Sequence, residues 1–251
     1  PPWPKAALGL CRRLGLVPTG TGGATPGVHH GVPFPEDLWR GLVGRWLAGP
    51  LAVVVGGEVA TGKSTLARRL AALCEATHLS SDAIREAAYP LERFGTDRKY
   101  SAEASATVFR VLTLEAERVL RQGGPVVCDA VFRRRALHER AVAVVRGCGA
   151  RLVAVETVCA EPVQRERLRA RRPGEEHWSE AGEGVLDALR ARETEQPDGY
   201  AAIAQSPELA GADARIVLDT TPDVAAPVRI VGARTPVAIW FATALASGLP
   251  R

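Results

Sequence analysis

The chain has 251 residues, 46% of them apolar and 24% charged, which are ordinary globular values and exclude wholesale disorder, a collagen-like repeat and a coiled coil. Its net charge of +4 rests almost wholly on arginine, since Lys occurs only at positions 5, 63 and 99 and the chain contains neither Asn nor Met, so the positive balance reads as residue bias and is discounted as evidence of a polyanion partner. No apolar run approaches the roughly 20 residues that a bilayer span requires, the nearest being Val237 to Leu249, and a membrane protein is not expected.

The first residue is Pro, which leaves room for a domain upstream, and Pro-Pro-Trp-Pro-Lys shows no secretory signal. Cys11, Cys74, Cys128, Cys148 and Cys159 have no metal-ligand spacing and read as reduced, mostly buried thiols, so a cytoplasmic location is expected. Residues 1–35 hold a short apolar and basic stretch from Ala6 to Leu16 and then a Gly- and Pro-rich one from Pro18 to Gly27, and read as a linker-like leader. A domain is expected over 36–251. It opens with a helix carrying Leu38, Leu42, Val43, Trp46 and Leu47, stopped by Gly49-Pro50.

Leu51 to Val55 is continuously apolar and suits a strand buried on both faces, followed by helical spacing from Ser64 to Cys74. Thr77 to Ser80 is a weaker strand candidate, with a helix opening at Ser81. Further helices are expected over Ala102–Gln122, Arg135–Val145, Pro162–Arg172 and Gly184–Glu195, and strands over Pro125–Cys128, Arg151–Val155 and Arg215–Leu218. This alternation implies an α/β fold with a parallel sheet covered on both faces. The terminal run Ile239 to Leu245 is apolar enough to dock on the domain.

Between the first strand and its helix lies Gly57-Glu-Val-Ala-Thr-Gly62-Lys63-Ser64, the spacing of a P-loop in the context a P-loop needs. Gly57, Thr61, Gly62, Lys63, Ser64 and Thr65 are the candidate nucleotide-binding residues. Glycines let the backbone wrap so that successive N–H groups and the helix N-terminus face phosphate oxygens. Lys63 then supplies a point charge at the β- and γ-phosphates, and Ser64 a hydroxyl for Mg²⁺. Glu58, Val59 and Ala60 stand where small residues are common, and Glu58 brings negative charge that either faces solvent or touches the acceptor.

Asp82 and Arg85 share a face of the helix opening at Ser81. Phosphoryl transfer to a hydroxyl needs a carboxylate to orient and deprotonate the acceptor and a cation beside it, roles these two suit, although Ser81 or Asp82 serves equally well as a helix cap. Asp129 ends an apolar strand and is the candidate magnesium-side carboxylate with Ser64. Arg165, Arg167, Arg169, Arg171 and Arg172 lie on or beside one helix, next to a polar stretch, where arginines close over ATP or merely form a solvated face.

These motifs in this order resemble P-loop kinases of the zeta-toxin, chloramphenicol phosphotransferase and polynucleotide-kinase kind, especially bacterial kinase domains that often follow an aminoglycoside-phosphotransferase-like domain. The resemblance runs from Trp46 to Thr221 and rests on Gly57 through Ala67, Leu79 to Arg85, Tyr100-Ser101, Val126 to Phe132, Arg167 to Arg171, Ser179-Glu-Ala181 and Leu218 to Thr221. It implies a five-stranded parallel sheet, a small arginine-bearing lid, and ATP with Mg²⁺ as cofactors. It further implies Asp82 as base, Arg85 as acceptor-side cation, and Arg167 and Arg171 as lid arginines. The expected partner is a small molecule that offers a hydroxyl. A 5′-hydroxyl polynucleotide is the rival acceptor, Arg93, Arg98 and Lys99 before Tyr100 suit either one, and an ATP-binding regulatory module is the alternative outside enzymes.

Overall fold

A computed structural model describes residues 28–29, 32–33, 50–90, 99–170, 182–221 and 228–233. The expected helix before Leu47, Arg93, Arg98, Arg171, Arg172, the stretch after it to Ala181 and the terminal apolar run lie outside the described residues. Within the leader, β1 (Val28–His29) and β2 (Val32–Pro33) form a short antiparallel pair.

The main sheet begins with β3 (Leu51–Gly57), buried along its whole length. It is followed by α1 (Lys63–Cys74), β4 (Thr77–Ser80), α2 (Ser81–Ala88), α3 (Ala102–Arg121), β5 (Val126–Asp129) and α4 (Arg135–Gly147). Then come β6 (Arg151–Val158), α5 (Glu161–Ala170), α6 (Glu183–Glu195), β7 (Ala214–Asp219) and β8 (Val228–Ala233). The strand order is β4-β5-β3-β6-β7-β8. Five strands are parallel, as expected, and β8 adds an antiparallel edge that the sequence reading did not anticipate. In β8 the Arg229 and Gly232 positions interrupt the apolar run that marks the buried strands, because an edge strand is paired on one side only.

Strand alternation divides the core. Ala52 and Val54, Val126 and Cys128, and Leu152 and Ala154 share one cluster with Leu112, Ala116 and Leu120 of α3 and Val142 and Val145 of α4. Val53, Val55, Val127, Val153 and Val155 alternate with these and are fully buried on the opposite face, where α1 inserts Leu66, Ala67 and Leu70. Burial on both faces explains why these strands read as unbroken apolar runs. Cys74, Cys128, Cys148 and Cys159 are free thiols, and burial pushes Cys128 up to about 12, so it acts as a small apolar group. Among the described residues no helix is long and apolar enough to cross a membrane.

Local chemistry sets the helix starts. Ser101 caps α3 by accepting from the Ala104 N–H at 3.1 Å, and Glu115–Arg118 and Glu117–Arg121 pairs line its exposed last turns. Ser80, and neither Ser81 nor Asp82, is the N-cap of α2. That leaves Asp82 in the first turn, where a carboxylate is favoured by the helix dipole.

Candidate functional site

The site lies at the carboxyl ends of the parallel strands, where open α/β sheets present their loops to ligands. Gly57 ends β3 with φ +146° and Gly62 caps α1 with φ +81°, both in territory that L side chains avoid, while Ala60 also has positive φ at 61°. A side chain at Gly57 has no room: its Cβ would stand 2.5 Å from the Thr157 carbonyl oxygen and 2.7 Å from Thr61 Oγ1. No side chain caps α1, and its hydrogen-bond ladder opens with the Leu66 N–H on Gly62 O at 3.0 Å. The preceding N–H groups at this end are therefore available to an anion.

Lys63 is only 6% exposed, and its Nζ meets the Glu58 carbonyl at 3.4 Å, a long contact within the loop itself. Ser64 is half-buried and Thr65 exposed at the same helix end. Thr61 points inward: its hydroxyl donates to Glu58 O at 2.9 Å and meets Thr157 Oγ1 at 2.7 Å. Its side chain thus braces the loop, leaving the backbone as its means of reaching phosphate. Thr220, after β7, donates to Thr61 O at 2.8 Å and holds the loop from the other side.

The departures at Glu58, Val59 and Ala60 have a structural cause. Val59 and Ala60 are buried in a second apolar cluster with Leu168 of α5 and Leu186 of α6. Glu58 neither faces solvent freely nor points to an acceptor alone; it pairs with Arg190 at 2.8 Å and accepts from Gln164 Nε2 at 3.1 Å. Burial alone would raise the Glu58 carboxyl, but the Arg190 and Gln164 hydrogen bonds outweigh it and hold the group below its ordinary value.

Asp129 stands at the end of β5 beside Val55 of β3. It is 2% exposed, yet neither carboxylate oxygen has a hydrogen-bond partner, the nearest cation candidate being His78 Nε2 at 3.8 Å. Buried polar groups are ordinarily satisfied, so a doubly orphaned carboxylate beside a phosphate loop fits a group that brings its own ligands. Among the described residues no cluster of three or more His, Cys, Asp and Glu could hold a metal. One carboxylate and one hydroxyl suit Mg²⁺, which keeps waters and binds through phosphate oxygens instead of a full protein cage.

Asp82 is half-buried in the first turn of α2, and no hydrogen bond or ion pair engages its carboxylate among the described residues. Arg85, on the same helix, is 6% exposed and already occupied. One Nη donates to the Lys99 carbonyl at 2.7 Å, the guanidinium sits 4.9 Å from the Tyr100 ring centre, and its Nε is buried without a partner. Arg85 thus ties α2 to the segment that begins at Lys99, while Lys99 is itself buried against Glu86.

The described arginines of α5 divide. Arg165 is taken up by Glu161 and Asp187, and Arg169 by Glu183. Arg167 alone of the three reaches the phosphate loop, donating to Ala60 O at 3.2 Å and to Thr220 O at 2.5 Å. Sequence reasoning missed Thr157, Gln164 and Arg190. Thr157, a polar residue at the end of a buried strand, carried a readable signal, whereas nothing in the α5 and α6 patterns sets Gln164 or Arg190 apart.

The profile of a family described as an AAA domain matches residues 52–196. The chain is similar to a solved candidate kinase from Chloroflexus aurantiacus, at 27% identity over 69% of this chain and 90% of that one, with a TM-score of 0.51. It has the fold of Kti12 from Chaetomium thermophilum, solved in complex with ADP-AlF3, at 18% identity over 69% of this chain and 92% of that one, TM-score 0.50. No curated protein matches the sequence.

Proposed function

The chain belongs to the AAA domain family with a kinase-like P-loop fold, and from that premise we propose that it is an ATP-dependent phosphotransferase acting on a hydroxyl of a small molecule. The observation that carries this reading is the pairing of an uncapped, lysine-bearing phosphate loop with the orphaned carboxylate of Asp129 on the adjacent strand. The 27% identical candidate kinase supports it.

In this reading the N–H groups at the start of α1 and Lys63 receive the β- and γ-phosphates of ATP, within the loop formed by Gly57, Thr61, Gly62, Lys63, Ser64 and Thr65. Ser64 and Asp129 would hold Mg²⁺ or its waters. When bound, that ion neutralises charge on the transferred phosphoryl group. Asp82, whose carboxylate no described residue engages, takes the proton of the acceptor hydroxyl as the oxygen attacks. Arg85 acts from behind, fixing α2 through Lys99 O and Tyr100, with its remaining Nε available to a polar group. Arg167 fixes the loop through Ala60 and Thr220, and Arg171 follows it in the sequence as a further cation for the phosphates.

The test is transfer of label from γ-labelled ATP with Mg²⁺ to a panel of aminoglycosides, other hydroxylated antibiotics, sugars, nucleosides and 5′-hydroxyl oligonucleotides, comparing wild type with Asp82→Asn. A labelled small product that disappears in the variant is the expected result. Label in the oligonucleotide, with steep loss as salt rises, would move the acceptor class to nucleic acid. ATP binding without any labelled acceptor, unaffected by Asp82→Asn, would overturn the enzyme reading in favour of a regulatory module.

A further inference from the structure

Phosphate loops receive a polyanion, so an ionised carboxylate one residue after the first glycine opposes binding unless something offsets it. In this chain the offset comes from outside the loop. Arg190 of α6 donates to Glu58 Oε2 at 2.8 Å and to Gln164 Oε1 at 3.1 Å, and its other Nη lies 3.0 Å from Glu161. Gln164 of α5, 1% exposed, donates to the Val59 carbonyl at 2.9 Å and to Glu58 Oε2. The middle of the loop is thus gripped at three successive residues, Glu58 by Arg190 and Gln164, Val59 by Gln164, and Ala60 by Arg167. The apolar side chains of Val59 and Ala60 pack on Leu168 and Leu186 beneath these contacts.

We propose that Arg190 is a positioning residue of the nucleotide site: by pairing with Glu58 it cancels the loop's own negative charge, so that the loop admits polyphosphate. This rests on the reading of the loop as a nucleotide site. It makes nucleotide affinity depend on a helix more than a hundred residues further along the chain. Arg133, bound to Glu193 of α6 with Nε at 2.7 Å from Oε1, adds positive potential at the same carboxylate.

The experiment is titration of the full chain with mant-ADP and Mg²⁺, comparing wild type, Arg190→Gln, Glu58→Gln and the double variant. Arg190→Gln leaves a partly buried carboxylate on the phosphate loop without its cation and should weaken binding by about tenfold. Glu58→Gln and the double variant should both stay within about threefold of wild type, because no charge remains to be cancelled. The deficit of Arg190→Gln should shrink as salt is raised. A purely structural clamp predicts the reverse, with the double variant as weak as Arg190→Gln or weaker, and that result would overturn the proposal. So would Arg190→Gln binding as wild type does. Should Arg190→Gln fail to fold, Arg190→Lys keeps the charge without the fork and must retain affinity within about threefold. Wild-type protein that binds no mant-nucleotide would sink the nucleotide-site reading as well, whereas the other failures leave that reading standing.

Discussion

Replacing Asp129 with Asn should make the ligand-free protein more stable while removing its activity. The carboxylate is 2% exposed, both oxygens lack hydrogen-bond partners, and His78 Nε2 at 3.8 Å is too far for a hydrogen bond. An unpaired buried carboxylate costs several kcal/mol after relaxation, and a buried amide without partners about 1–3 kcal/mol, so the exchange should gain about 2 kcal/mol. For a domain of this size that corresponds to a rise in Tm of about 4–8 °C. The assay is thermal unfolding without nucleotide and again with saturating Mg²⁺ and ADP. Ligand at a hundredfold excess over its Kd stabilises a folded protein by about 2.7 kcal/mol. Wild type should therefore gain more from Mg²⁺ and ADP than Asp129→Asn does, and the gap in Tm should narrow or reverse. A ligand-free Asp129→Asn protein that melts below wild type would refute the reasoning, because it would mean that the carboxylate already has stabilising partners.

Gly57→Ala should abolish nucleotide binding and lower stability by about 2–6 kcal/mol, a figure that adds a strained positive-φ backbone to overpacking against Thr157 and Thr61; mant-ADP titration and denaturant melts check both, and a near-neutral effect would contradict the loop geometry. Acid should destabilise the protein partly through Glu208. Burial opposes ionisation there, but the Ser206 hydroxyl, backbone bonding and the Arg135 guanidinium bring the carboxyl down from 4.5 to about 2. A group whose value is lower in the folded state adds stability that is present above pH 4.5 and is lost as the pH falls toward about 2. Glu208→Gln should flatten that part of the stability profile measured by urea melts between pH 5 and pH 2, and an unchanged slope would remove Glu208 from the account.

The order of strands and helices was legible because each buried parallel strand is an unbroken apolar run and each helix carries its own period and caps, both local properties of the chain. β4 was faint, being an edge strand with exposed Thr77 and half-buried His78 and Leu79, and β8 escaped for the same reason. The turn from Gly57 to Ser64 was readable because it depends on spacing within eight residues. Asp129 was readable as a carboxylate closing an apolar run.

What the sequence determined by itself is therefore the α/β alternation and the glycine-rich loop between β3 and α1, both of which arise from neighbours along the chain. Only the tertiary structure decided which cations serve that loop. Arg85 is turned to Lys99 and Tyr100, Arg165 and Arg169 are taken by acidic partners on α5 and α6, and Arg167 and Arg190 are brought to the loop. The same holds for Glu58-Val59-Ala60, which departs from the usual small residues because these three meet α5 and α6. The pairings to the loop join residues more than a hundred positions apart, and a long, flexible arginine has no partner written into its local pattern until the packing of helices against the sheet selects one.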